Sequence, residues 1–244
     1  MITKKNIKIM LVNMILIVIL TSSLGCGNNS KVSTEISSDA SVNSDVAIQY
    51  MSIIKEYQKF ADDLTNNMKS DFNNEINDDD LNHIWFSMRS EIGSYRNFAM
   101  NKESFGYALK DLNRDSNPEL ILLMKDYTML AIFSTVDGKP KLLDSFWPRH
   151  RCALNNSNLL YTESTGGVDY WEYEILQISQ DGSELLPLLQ FGCEDGFYKI
   201  IDREKYNISQ LEMEEFLIKY PILSDTTACD ITKNSGIEFI PLNN

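Results

Sequence analysis

Residues 105–136 read FGYALKDLNRDSNPELILLMKDYTMLAIFSTV. Three short apolar runs, Tyr107 to Leu109, Leu120 to Met124 and Met129 to Phe133, alternate with polar clusters rich in Asp, Asn and Ser. Runs this short cannot carry a helical stripe, and their turn-forming borders make them strands. The same texture continues through Leu142 to Phe146, Leu159 to Tyr161, Val168 to Ile178, Leu185 to Phe191 and Gly196 to Ile201, with Ile237 to Ile240 as a closing strand. Asp137-Gly138 and Asp181-Gly182 fall between such runs. Asp-Gly accepts the positive φ of tight hairpin turns, so the sheet is expected to be mostly antiparallel.

Upstream the period changes. From Val46 to Met68 apolar residues recur at Tyr50, Ile54, Tyr57, Ala61 and Leu64, the spacing of an amphipathic helix, with Asp45 available as N-cap. Asp78, Asp79 and Asp80 then place acids at the positive end of a second helix, whose stripe is Leu81, Ile84, Trp85, Met88, Ile92 and Tyr95. Downstream, Ser209 and Glu212 form a capping box ahead of Met213, Phe216, Leu217 and Tyr220, and Pro221 stops that helix. The expected fold is α+β: a helical segment over residues 46–100, then a mostly antiparallel β-rich domain over 101–244, sandwich or partial propeller-like, with a late C-terminal helix. A length of 244 residues suits one such domain with an appendage.

The appendage is the N-terminus. Lys4, Lys5 and Lys8 precede an uncharged stretch from Ile9 to Gly25, apolar to Leu20 except for Asn13, which is the layout of a signal peptide over residues 1–25. Ser22-Ser23-Leu24-Gly25-Cys26 resembles the lipobox of bacterial lipoproteins, with Ser23 where that family prefers Leu. The resemblance implies that Cys26 is lipidated, by palmitate or similar chains, and holds the protein on the outer face of the bacterial membrane. Two or three acyl chains anchor a soluble domain stably where one does not. Cleavage lowers Lys+Arg from 22 to 19 against 35 acids, a mature charge of −16. Residues 26–45, rich in Ser and Asn, are expected to be a flexible tether.

Asp111, Asn113, Asp115, Asn117 and Glu119 place oxygen-bearing side chains at alternate positions of a nine-residue loop. Calcium takes six to eight oxygens, and these residues, with the Asn117 carbonyl, would supply most of them. The spacing resembles the calcium loops of FG-GAP, VCBS and related propeller-like repeats. Position six is Ser116 where Gly is usual, so Ser116 is expected at positive φ. The alternative is a solvated polar turn between two strands. From Phe105 onward the run of signals, including Asp137-Gly138-Lys139, Thr165-Gly166-Gly167 and Lys219-Tyr220, is similar to uncharacterised lipoproteins of Gram-positive bacteria. That resemblance implies a cell-surface β-rich domain and no particular activity.

A formal charge of −13 and a pI near 4.6 exclude nucleic acid as a partner, since counterion release needs basic residues. The chain has no H-E-x-x-H, G-x-S-x-G, P-loop or Rossmann glycine pattern, and His83 and His150 have no partners at ligand spacing. Tyr170, Trp171 and Tyr173 read either as an aromatic platform for a sugar or peptide or as a strand buried on both faces. With Cys26 lipidated, Cys152, Cys193 and Cys229 are an odd set, and no disulfide is expected to be needed for folding. The functional expectation is a membrane-anchored, non-catalytic binding module for a protein or carbohydrate, with a structural calcium ion. Its rivals are a cell-envelope hydrolase using paired carboxylates, Glu172 with Glu174 or Glu194 with Asp195, and a purely structural assembly lipoprotein.

Overall fold

Sheet B, the larger of two antiparallel sheets, carries the site described below, and everything else in the fold supports it. The computed structural model describes residues 39–66, 79–94, 102–167 and 170–242. The signal peptide, Cys26 and most of the tether lie outside them. Helices α1 (Asp39–Asn66) and α2 (Asp79–Ser94) precede strands β1 (Phe105–Lys110), β2 (Glu119–Met124), β3 (Met129–Val136) and β4 (Lys139–Ser145). Strands β5 (His150–Leu154), β6 (Leu160–Thr165), β7 (Trp171–Ile178), β8 (Leu185–Cys193), β9 (Phe197–Ile201) and β10 (Glu204–Asn207) follow. The described chain closes with α3 (Gln210–Lys219), α4 (Asp225–Lys233) and β11 (Ile240–Pro241). Sheet A runs β11-β1-β2-β3-β4 and sheet B runs β10-β9-β8-β7-β6-β5, so sheet B and β1–β4 are meanders of neighbouring strands, and β11 returns from the far end of the described chain to pair with β1.

The layers are helix, sheet, sheet, helix. On β2, Leu120, Leu122 and Met124 face Tyr50, Tyr57, Ile84 and Met88 of α1 and α2. Ile121 and Leu123 face the other way, against Cys152, Leu154, Leu160 and Leu176 of sheet B. All six residues of β2 are buried, which is why its sequence is a continuous apolar run rather than an alternation. The outer face of sheet B, with Ala153, Tyr173, Ile175 and Phe191, is covered by Met213, Leu223 and Ala228 from α3, α4 and the link between them. The fold is thus the expected α+β class, in its sandwich form.

Some boundaries differ from the expectation. Helix α1 begins at Asp39, so residues 39–45 are helical rather than tether, and Asp45 lies inside the helix instead of capping it. Once the packed segment from Tyr50 on is helical, each added residue gains a hydrogen bond at little further cost, so the helix extends past its apolar stripe. The late helix is followed by a second one, α4, N-capped by Ser224, whose side chain accepts from Thr227 N. Asp137 and Gly138 both take positive φ (51° and 72°) in the β3–β4 turn, as a two-residue hairpin requires. Among the described residues no helix is long and apolar enough to cross a membrane.

Candidate functional site

The Asp111–Glu119 loop joins β1 to β2 and is closed by its own amides. Asp111 Oδ1 accepts from Arg114 N at 2.6 Å and Oδ2 from Ser116 N at 3.1 Å. Asn113 Oδ1 accepts from Asp115 N at 3.1 Å, and Asp115 Oδ1 from Asn117 N at 2.6 Å. These are successive Asx turns, in which a short side chain mimics a backbone carbonyl. Arg114 and Ser116 sit at φ 66° and 75°, so the left-handed position expected at Ser116 is present. Glu119 points inward and is fully buried, accepting from Leu112 N at 2.7 Å and from Ser134 Oγ at 3.2 Å. Burial pushes its carboxyl up to about 7 against the opposing effect of those bonds. Asn113 also donates to the carbonyls of Ser179 and Gln180, and Asn158 to those of Asp111 and Leu112, so two turns of sheet B clamp the loop. Among the described residues no three His, Cys, Asp or Glu side chains converge as metal ligands.

A different kind of site lies on the outer face of sheet B. Period two along β7 places Trp171 and Tyr173 on one face. The antiparallel register sets Thr165 opposite Trp171 and Glu163 opposite Tyr173 on β6. On the other side Phe191 of β8 is opposite Tyr173, and the two rings stack at 5.1 Å between centroids. Phe216 of α3 stacks in turn on Phe191 at 4.8 Å, which fixes α3 over the sheet. Between α3 and the sheet this leaves a crevice of about 330 Å³ lined by Glu163, Thr165, Gly167, Trp171, Tyr173, Leu217 and Ile222. That is at the lower end of the range for small-ligand pockets.

Two polar groups border this crevice in unusual states. Tyr173 is 1% exposed, and its hydroxyl is the one buried side-chain polar atom without a hydrogen-bond partner among the described residues. Burial first, then Tyr161 and Glu163, hold its pKa far above the ordinary phenol value, so the hydroxyl stays protonated. Glu163 is 9% exposed; its Oε2 accepts from Leu223 N at 2.7 Å. Burial raises its carboxyl, and the Leu223 bond and Arg151 partly offset that. Tyr170 does not join Trp171 and Tyr173: its ring lies over Gly166, outside the crevice, and burial together with Glu172 and Glu194 raises its hydroxyl. Of the three aromatics read either as a platform or as a strand buried on both faces, Trp171 and Tyr173 form part of a crevice wall and Tyr170 does not.

The inner face of sheet B holds a polar network that spacing along the sequence could not show. His150 Nδ1 is 2.6 Å from Ser164 Oγ, and Nε2 is 3.0 Å from Asp144 Oδ2. Beside it Thr162 Oγ1 donates to Glu174 at 3.3 Å, and Tyr198 Oη donates to Glu172 at 2.7 Å. Close approach of β8 to β7 at Gly192, where a Cβ would lie 2.4 Å from Trp171 O, brings Tyr198 within reach. The Asp144-His150-Ser164 chain has the partners of a nucleophile relay. Ser164, however, sits inside β6, paired on both sides by β5 and β7. Glu172 and Glu174 stand side by side on one strand rather than across a cleft, and Glu194 and Asp195 are exposed on the β8–β9 turn. A second crevice, about 20 Å³ beside Glu91, Cys152 and Cys229, has room for little more than a water molecule. The thiols of Cys152, Cys193 and Cys229 are free.

No family model, no curated protein and no solved structure matches the chain.

Proposed function

We propose that this chain is a lipid-anchored extracytoplasmic binding protein, held on the outer face of a bacterial membrane through Cys26, that takes a peptide or carbohydrate ligand in the crevice between β6, β7 and α3. The observation that carries the reading is the crevice itself, about 330 Å³, in which Glu163, with one carboxylate oxygen not engaged by Leu223 N, stands beside the apolar surfaces of Trp171, Leu217 and Ile222. Ile222, 60% exposed, and Leu217 add apolar surface to the crevice that favours a peptide over a sugar. Glu172 and Glu174 on one strand, Glu194 and Asp195 on an exposed turn, and the ladder-bound Ser164 favour binding over hydrolysis.

The test is an array of peptides and glycans probed with the full-length chain and with Trp171→Ala. Binding to any member that the variant loses supports the reading; no binder, or binders retained equally by the variant, contradicts it. Membrane partition of wild type, lost in Cys26→Ala, tests the anchor.

The second part of the reading is a structural calcium ion at the Asp111–Glu119 loop. It is favoured by Ser116 at φ 75° in position six and by the inward Glu119 in position nine. Each carboxylate oxygen that accepts an amide keeps a second lone pair, so a cation need not displace the Asx turns, though Asp115 and Asn117 would have to re-aim. Affinity would be modest, with a dissociation constant on the order of 10⁻⁴–10⁻³ M. Melting that is identical in millimolar calcium and in chelator would reduce the loop to a turn.

A further inference from the structure

We infer that the crevice on sheet B recognises a primary ammonium group on an aliphatic stem, as in the side chain of a lysine within a peptide. The inference rests on the reading of that crevice as the ligand site and adds the chemistry of its occupant.

An alkylammonium has three N–H donors on a four-carbon stem and no acceptor. The crevice offers a matching set. Glu163 supplies a carboxylate of which only one oxygen, Oε2, is engaged by Leu223 N. Thr165 adds a hydroxyl, and the ring of Tyr173 forms part of the wall. Thr165 and Trp171 are one cross-strand pair and Glu163 and Tyr173 another, with the Ser164–Glu172 pair between them, so Glu163 and Thr165 lie on the same face of the ladder. Beside them Trp171, Leu217 and Ile222 are apolar surface for the methylenes, and the indole face adds attraction for a cation.

Among the described residues no Lys or Arg lines the crevice. The cation nearest to Glu163 by register is Arg151, opposite it on β5, and that guanidinium is held by Asp225 of α4. Arg151 eases the burial of Glu163 without filling the space in front of it. A chain of net charge −13 also draws cationic ligands to its surface at long range.

The experiment titrates the full-length chain by calorimetry with N-acetyl-lysine-N′-methylamide and with its norleucine counterpart, which has the stem and lacks the ammonium. The lysine probe is expected to bind at least about tenfold tighter. Glu163→Gln, which keeps an acceptor for Leu223 N, should bring the two probes to within about twofold of each other. Equal affinities in wild type, both lost in Trp171→Ala, would overturn the ammonium assignment and leave the crevice as a ligand site. Failure of both probes to bind wild type would overturn both.

Discussion

In the Asp111–Glu119 loop five side-chain oxygens each accept an amide of the same nine residues, and Asp115 Oδ2 and Glu119 Oε1 accept from Asn113 Nδ2 and Ser134 Oγ. In the crevice on sheet B the Tyr173 hydroxyl has no partner, and Glu163 has an oxygen to spare. The loop carries the conspicuous sequence motif and the crevice does not. The difference separates two ways in which polar groups meet in a fold. Asx turns satisfy oxygens within a few residues, so a motif rich in Asp and Asn can be complete without a ligand. A cross-strand cluster covered by a helix can be left incomplete, and that incompleteness is what a ligand would relieve.

The largest expected effect sharpens the loop side. Burial pushes the carboxyls of Glu119 and Glu91 up to about 7. Between about pH 4.5 and 7 the folded chain keeps these protons while the unfolded chain releases them. The stabilisation is therefore fully present below about pH 4.5 and is lost as pH rises through about 7, by roughly 3 kcal/mol per group. Denaturant unfolding across that range should show the decline, and Glu119→Gln should remove about half of it. Calcium bound at the loop would favour the ionised Glu119 and flatten the same slope. A slope unchanged in Glu119→Gln would mean that Glu119 is not held protonated.

Next in size is Asp111→Ala, which strands the amides of Arg114 and Ser116 and should destabilise by about 1–2 kcal/mol, as removal of an N-cap does. In the crevice the corresponding deletion has the opposite sign. Tyr173→Phe removes a hydroxyl that nothing satisfies and should stabilise the free protein by about 1 kcal/mol. Thermal or urea melts of the two variants decide whether the contrast holds, and destabilisation by both would end it.

How much of this was legible follows the same division. Sheet A was, because β2 and β3 are buried on both faces and read as unbroken apolar runs. The Ser209 cap was, because Glu212 N lies three residues from the hydroxyl that accepts its hydrogen bond. Strand β5 was not, since His150-Arg151 opens it with polar side chains whose partners, Ser164, Asp144 and Asp225, come from three other segments. Helix α4 was not, because two Thr follow Asp225 and only Ala228 and Thr232 are buried, too little for a visible stripe. For the site, Trp171 and Tyr173 were picked out by their aromatic character. Glu163 was missed because only the β6–β7 register puts it beside Tyr173. Ser116 was expected at positive φ from a motif position, a local property, and is there.

The central claim is that the crevice, and not the self-closed loop, receives the peptide ligand. Methyl NMR of the full-length chain, titrated with the lysine and norleucine amides, tests it most directly. Shifts concentrated at the methyls of Thr165, Leu217 and Ile222, with Leu112 and Leu120 beside the loop unmoved, are the result predicted. Shifts centred on Leu112 and Leu120, or spread evenly over both sheets, would contradict it.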